Sequence, residues 1–464
     1  MRKRTFLAGA AAGLGVSAVS LNRAWRASGE LPKPANVPNG TWMNWGRNQT
    51  AAPAKIAQPQ TVEALRTLIT STDDTVRVVG AGHSFTELVP TDGTLLNLDK
   101  MGGVLSADTQ AQTAWVRAGA RLKDLSPALE AEGLAFKNLG DINVQSLAGA
   151  CATATHGTGK SLSCLSAELN AVRLMTADGE LITISPDENA DMLPAAQVSL
   201  GTLGVLVDAN VSLTTPYRLN RKTWTEPIAD ILSAAKTRWD TLRNYEFMYV
   251  PFSGHGICIS HDETDADITP RPESDDDAAV MGLKQVRDFT HHVGPLRRAL
   301  ISDAFANLEG EDVVGDSWRL LASPRNVPFN EMEYHLPPEN ALSVFEEVMD
   351  IIESKHSDVF FPIEVRQTAS DTAWLSPFQG GSRISIAVHA YYADEHDWFY
   401  TDVEPVFRRA GGRPHWGKLH SLTADELVEL YPDFERFQTL RKQLDPNGKF
   451  MTPYMARLMN VSAS

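Results

Sequence analysis

Glu364-Val365-Arg366 sets a carboxylate and a guanidinium two residues apart, and on a strand such positions point to one face. Side by side they offer charge-assisted hydrogen bonds to the oxygens of a small polar ligand. The same spacing also suits a salt bridge on a strand surface. Downstream lie His389 and the run Gly411-Gly412-Arg413-Pro414-His415-Trp416-Gly417-Lys418. Upstream, Arg77-Val78-Val79-Gly80-Ala81-Gly82-His83-Ser84 places two glycines behind an apolar stretch, so the backbone can turn tightly and aim N–H groups at an anion. A nicotinamide-dinucleotide site is excluded, because its fingerprint needs a third glycine where this chain has His83-Ser84-Phe85. Between Asn138 and Gly159, small residues with interspersed Ser and Thr let backbone approach a flat or anionic ligand; a glycine-rich loop without a ligand has the same composition.

Elements must hold these stretches in place. The spacing predicts a helix over Gln60–Ile69 and strands at Val76–Val79, Leu95–Leu98 and Trp115–Ala118. Leu122, Leu125 and Leu129 recur at helical spacing up to a stop at Gly133. Val172–Met175 and Leu181–Ile184 flank Asp178-Gly179, a hairpin signal, and Val205–Leu213 reads as a further strand. Residues 45–218 thus read as an α+β domain without the regular alternation of a doubly wound fold. A second region, 219–410, carries a helical pattern at Ala341–Glu353 and strand-like runs at Val359–Arg366 and Ile384–Tyr391. The acidic stretch Asp262–Asp277 reads as a solvated loop, and its spacing matches no calcium loop.

The composition frames these readings. The chain has 464 residues, 43% hydrophobic and 22% charged, enough to build a core and unlike a disordered chain. A net charge of -16 argues against nucleic acid as partner. Three cysteines, Cys151, Cys164 and Cys258, are too few and scattered for a zinc module or disulfide framework, and no metal is expected. Arg2-Lys3-Arg4 precede a short apolar run from Phe6 to Val19, and no acid appears before Glu30. That is the grammar of an export signal over residues 1–28, twin-arginine-like with Lys3 in place of the first arginine; a buried N-terminal helix is the alternative. Export predicts a periplasmic protein. No other stretch is long and apolar enough to span a bilayer, so no stable membrane span is expected in the mature chain.

Gly80–Ser84, Ser146–Gly159 and Gly411–Lys418 together resemble the vanillyl-alcohol-oxidase-like flavoproteins. More narrowly they resemble the sugar-1,4-lactone oxidases (L-gulonolactone, D-arabinonolactone and L-galactonolactone oxidoreductases), with alditol oxidase close by. The likeness runs from Trp45 to Met455. It implies a two-subdomain FAD-binding domain over 45–218, an α+β substrate or cap domain over 219–410, and a C-terminal segment, 411–464, that returns to the flavin. It implies FAD bonded covalently through His83, with the backbone of Val78, Val79, Gly80, Ala81, Gly82, His83 and Ser84 at the pyrophosphate. It places Gly140, Asp141, Ser146, Gly149, Thr153, Ala154, Thr155, His156 and His415 around the cofactor, and Val205 near the adenine. His156 stays open between a structural and a catalytic role.

On the substrate side the resemblance assigns catalysis to Glu364, Arg366, His389 and Lys418. Tyr391 stands where alditol oxidase has a threonine, which disfavours linear polyols. Gly140 aligns with a position where glycine accompanies O2 as acceptor, giving H2O2. The expectation is FAD-dependent oxidation of a sugar lactone. Its alternatives are an alditol oxidase, a dehydrogenase feeding a cytochrome, and a carbohydrate-binding protein without turnover.

Overall fold

The computed structural model describes residues 18–271 and 276–461. Three sheets organise it. The first is a small parallel sheet of Lys55–Ala57, Thr94–Asn97 and Val76–Val79, with Thr94–Asn97 in the middle. The helix Val62–Thr70 buries Leu65 and Ile69, and Thr61 Oγ1 caps it by accepting the Ala64 N–H at 3.1 Å. The second is a five-stranded antiparallel sheet in the order Val104–Asp108, Thr113–Arg117, Val205–Ser212, Leu169–Met175, Leu181–Ile184. Gly179, at φ +85°, makes the hairpin turn that the sequence announced.

The third sheet is antiparallel with eight strands: Asp312–Asp316, Arg218–Pro227, His255–Glu263, Asn244–Tyr249, Ile363–Thr368, Arg383–Tyr391, Phe329–Leu336 and Arg413–Pro414. Its last strand comes from the C-terminal segment. That segment reaches the parallel sheet too: Val76 N–H donates to the Lys449 carbonyl at 2.8 Å, and Phe85 N–H to the Gly417 carbonyl at 2.7 Å. Arg77 completes the clamp. Its guanidinium donates to the carbonyls of Leu88 (2.5 Å), Gly201 (3.0 Å), Phe450 (3.1 Å) and Leu200 (2.5 Å). The glycine turn after Val79 is therefore braced from both ends of the chain.

Three sequence expectations need correction. The strand expected at Val359–Arg366 starts at Ile363, because Pro362 has no N–H to give a neighbouring strand. The Phe329–Leu336 strand was not foreseen; every residue in it is buried, so it lacks the in–out alternation of a half-exposed strand. The acidic stretch is solvated only in part. Asp265 and Asp267 are exposed, but Asp276 and Asp277 open the helix Asp276–Thr290, accepting from Arg325 Nη1 (2.9 Å) and the Asn326 N–H (3.1 Å).

The expected export signal lies mostly outside the described residues. The helix Ala18–Ser28, at its end, rests on the helix Asp276–Thr290, with the Trp25 ring 5.2 Å from that of Phe289. Among the described residues no helix is long and apolar enough to cross a membrane.

Candidate active site

A cavity of about 1090 Å³ runs along the glycine turn and opens across the large sheet. Val78 to Ser84, Gly140, Ser146, Gly149, Thr153 and Thr155 line the part at the glycine turn. Asp141, His156, Glu364, Arg366, His389, His415 and Lys418 line the rest. The residues singled out in distant parts of the sequence thus meet around one space. Ala154 and Val205 do not reach it: both side chains are buried in the core, and Gly204 and Leu206 form the wall beside Val205. On the strand Val205–Ser212 neighbouring side chains point to opposite faces, which turns Val205 away. Tyr391 also lies outside this cavity, packed on Phe360 and Tyr392.

The wall by the glycine turn suits FAD. A Cβ on Gly80 would stand 2.5 Å from Ser146 Oγ, and Gly82 sits at φ +72°, so the turn is both tight and left-handed. Ser146 caps the helix Leu147–Ala152, accepting the Gly149 N–H at 3.2 Å. The His83 imidazole faces the cavity, stacked on Trp45 with centroids 4.7 Å apart and planes 23° apart. His83 Nδ1 is buried and has no hydrogen-bond partner. Burial, then the Lys418 and Arg121 cations, push this imidazole down to about 3. A neutral ring with a free nitrogen beside a glycine cradle fits a bound flavin.

The opposite wall is a buried charge cluster. Arg366 donates to Glu333 Oε1 at 3.0 Å and to Asp141 Oδ2 at 3.3 Å, and pairs with Glu364 Oε2 at 3.1 Å. Glu333 also meets His156 Nε2 at 3.1 Å. Burial would raise Glu333, but Arg366 and His156 hold it well below the usual carboxylate range. Asp141 likewise stays low despite burial, because Arg366 and Arg325 face it. Glu364 goes the other way: burial raises it well above the usual range, since Arg366 is already shared and Asp141, Glu246 and Glu333 are close. Glu246, buried beside Asp141, is pushed up to about 8. Burial thus favours the protonated form of Glu364, which can donate as well as accept.

His389 donates from Nδ1 to the Pro362 carbonyl at 2.9 Å, which leaves Nε2 towards the cavity. Lys418 binds Glu331 Oε2. Glu331 and Glu333 were not singled out from the sequence. Their period-two spacing with His335 was a usable signal: all three interleave with Met332, Tyr334 and Leu336 on one strand. His156 has both ring nitrogens engaged, by Glu333 on one side and by Gly157 and Thr368 on the other, which is an orienting arrangement.

Six histidines, His83, His261, His335, His389, His415 and His420, four of them buried and His83 and His389 partly so, have basicities depressed by loss of solvent. Unfolded, each titrates near 6.5. The native state favours their neutral forms, so the stability they contribute is present above pH 6.5 and is lost as pH falls below it. Each costs about 1.4 kcal/mol per pH unit until its native value is reached. The raised acids Glu246, Glu364, Asp371 and Asp445 act in the opposite sense, and the larger number of histidines sets the sign. Calorimetry should show a melting temperature level from pH 8 to 7 and falling steadily from 6 to 4.5. A flat profile over that interval would remove the argument.

Known proteins place this arrangement. The family described as D-arabinono-1,4-lactone oxidase matches residues 209–458, and the family described as FAD binding domain matches residues 53–185. The L-gulono-1,4-lactone dehydrogenase of Mycobacterium tuberculosis is 33% identical, over 90% of this chain and 99% of its own. The L-gulonolactone oxidase of Bos taurus is 28% identical, over 90% and 98%. The alditol oxidase of a Streptomyces species is 28% identical, again over 90% and 98%. Among solved structures, cholesterol oxidase from B. sterolicum superposes with a TM-score of 0.78 at 16% identity, covering 93% of this chain and 99% of that one, a likeness of fold.

Proposed function

The chain belongs to the D-arabinono-1,4-lactone oxidase family, and from that membership we propose that it oxidises the C2 hydroxyl-bearing carbon of a sugar 1,4-lactone, with FAD held in the cavity and bonded covalently to His83. One observation carries the reading. Glu364, Arg366, His389 and Lys418 open onto the same cavity as the glycine turn and His83.

Bound FAD supplies the acceptor for the hydrogen that leaves the substrate carbon with its electron pair. The chain does the rest. Arg366 holds the lactone oxygens as a cation, and Glu364, whose protonated form burial favours, holds them beside it. The hydroxyl must lose its proton as the C–H bond breaks, and His389 Nε2 is the free base facing the cavity. The Lys418 ammonium stabilises the negative charge that develops across the cavity. The stack on Trp45 holds His83 in place for the bond to flavin.

O2 is the proposed acceptor, on the strength of Gly140 in the cavity wall. That glycine has a packing reason as well, since a Cβ there would stand 2.9 Å from the His156 carbonyl. The basic start and apolar run of residues 1–28 support export, in twin-arginine fashion, to the periplasm.

The test is a panel of aldonolactones and polyols mixed anaerobically with holoenzyme, followed by flavin bleaching, then by peroxide on admitting air. Fast bleaching by lactones and stoichiometric peroxide are expected. Bleaching by polyols alone would move the substrate to an alditol. Slow reoxidation in air, with fast reduction of an artificial dye, would make the protein a dehydrogenase.

A further inference from the structure

Glu331 stands between the two groups that act on the substrate hydroxyl, and nothing in the Glu-x-Arg pair accounts for it. It lies directly opposite His389 in the strand register and is 2% exposed. Its Oε2 binds the Lys418 ammonium. Its Oε1 is 3.6 Å from His389 Nε2. A carbonyl can only accept, so the 2.9 Å contact with Pro362 puts the ring proton on Nδ1 and leaves Nε2 with a lone pair. A lone pair facing a carboxylate makes no hydrogen bond. A proton arriving on Nε2 creates a charge-assisted one.

We propose that Glu331 is a positioning residue that exchanges partners during turnover, anchoring the Lys418 ammonium while His389 is neutral and receiving the His389 imidazolium once the substrate proton reaches Nε2. This rests on the reading of His389 as proton acceptor. The step balances. The substrate O–H bond breaks and an Nε2–H bond forms. The C–H electron pair leaves with its hydrogen to the flavin, and the carbon becomes a carbonyl. His389 gains one positive charge and the flavin one negative charge, which the loosened Lys418 is placed to meet.

The surroundings single out Glu331 for this role. The strand Phe329–Leu336 presents Glu331 and Glu333 to His389, the strand Ile363–Thr368 presents Glu364, and the segment after Pro414 presents Lys418. The rings of Phe329 and Phe361 close the remaining sides, at 5.0 and 6.1 Å between centroids. Glu333 is committed to Arg366 and His156, and Glu364 is paired with Arg366 at 3.1 Å. Glu331 is the anion left for an imidazolium. Burial, then Lys418, pushes the His389 basicity down, while Glu331 pulls it up.

The test is Glu331→Gln in the holoenzyme, with L-gulono-1,4-lactone as the substrate probe. The limiting rate of anaerobic flavin reduction should fall about 100-fold, the scale of a base deprived of its support. Lactone affinity, read from the concentration dependence, should change little. The acid limb of the reduction rate should move to lower pH, because the carboxylate that favours protonated His389 is gone. Histidine NMR titration without substrate, assigned against His389→Gln, should show the same downward move. A Glu331 that only props up the fold would lower the melting temperature and leave both pH curves in place, which overturns the proposal. Glu331→Asp keeps the charge: it should turn over slowly with the parent's acid limb, and a displaced limb there counts against the idea. If no lactone reduces the parent enzyme, the functional reading fails, while the NMR titration still decides the Glu331–His389 coupling.

Discussion

Arg366→Ala should cost about 3–5 kcal/mol of stability and nearly all turnover, since removing one partner of a buried ion cluster leaves uncompensated charge. Arg366 is 6% exposed, and its guanidinium serves Glu333, Glu364 and Asp141 together. Without it Asp141 and Glu333, both held low by Arg366, must either take up protons or stay charged in the interior. Protonating Glu333 would also loosen His156, which it holds at 3.1 Å. The loss should therefore appear in denaturant unfolding of the flavin-loaded protein as a lower midpoint with an unchanged slope. Arg366→Lys restores a charge without the planar fork that reaches several carboxylates, so it should recover stability in part and activity hardly at all. An Arg366→Ala protein that unfolds at the parent's midpoint would show that these acids are already neutral in the native state.

His83→Ala should convert all covalently held flavin to releasable flavin. In the parent, acid precipitation should leave the yellow colour in the pellet; in the variant it should pass to the supernatant. The reason lies in the ring's setting. An imidazole pushed to about 3 is neutral near pH 7, and its Nδ1 has no competing hydrogen bond. The cradle at Gly80 to Ser84 survives the substitution, so the variant should still bind FAD reversibly. Flavin that stays in the variant's pellet would place the attachment elsewhere or show that none exists at His83. Trp45→Ala offers a graded companion: it removes the ring stacked at 4.7 Å and should slow attachment while leaving the nitrogen present.

The sequence announced these two residues for different reasons. His83 sits in a local motif where chain direction, turn and side chain all come from neighbours, so Gly80, Gly82 and His83 were legible together. The run Gly411–Lys418 was legible in the same way, and the resemblance implied its return to the flavin side, where Phe85 N–H meets the Gly417 carbonyl. Arg366 was visible only as half of a pair with Glu364. Its second partner, Glu333, lies 33 residues upstream, on a strand buried on both faces. Long-range pairing across the sheet, set by register and not by spacing, supplied what was missing. Pro362 shows the reverse failure: a local breaker was present and was read through. Asp276 and Asp277 show a third, where net charge suggested solvent but Arg325 and Asn326 drew the segment onto the protein.

The bracing of Val76, Arg77 and Phe85 by Lys449, Phe450 and Gly417 fixes an order in time. The strands of the cofactor domain emerge from the ribosome first, while the residues that complete their turn emerge last. A nascent chain, however long it pauses, lacks the partners that hold the glycine loop in its binding shape. A chain cut before Gly417 lacks every one of these partners and should hold flavin poorly, which its visible absorbance would report.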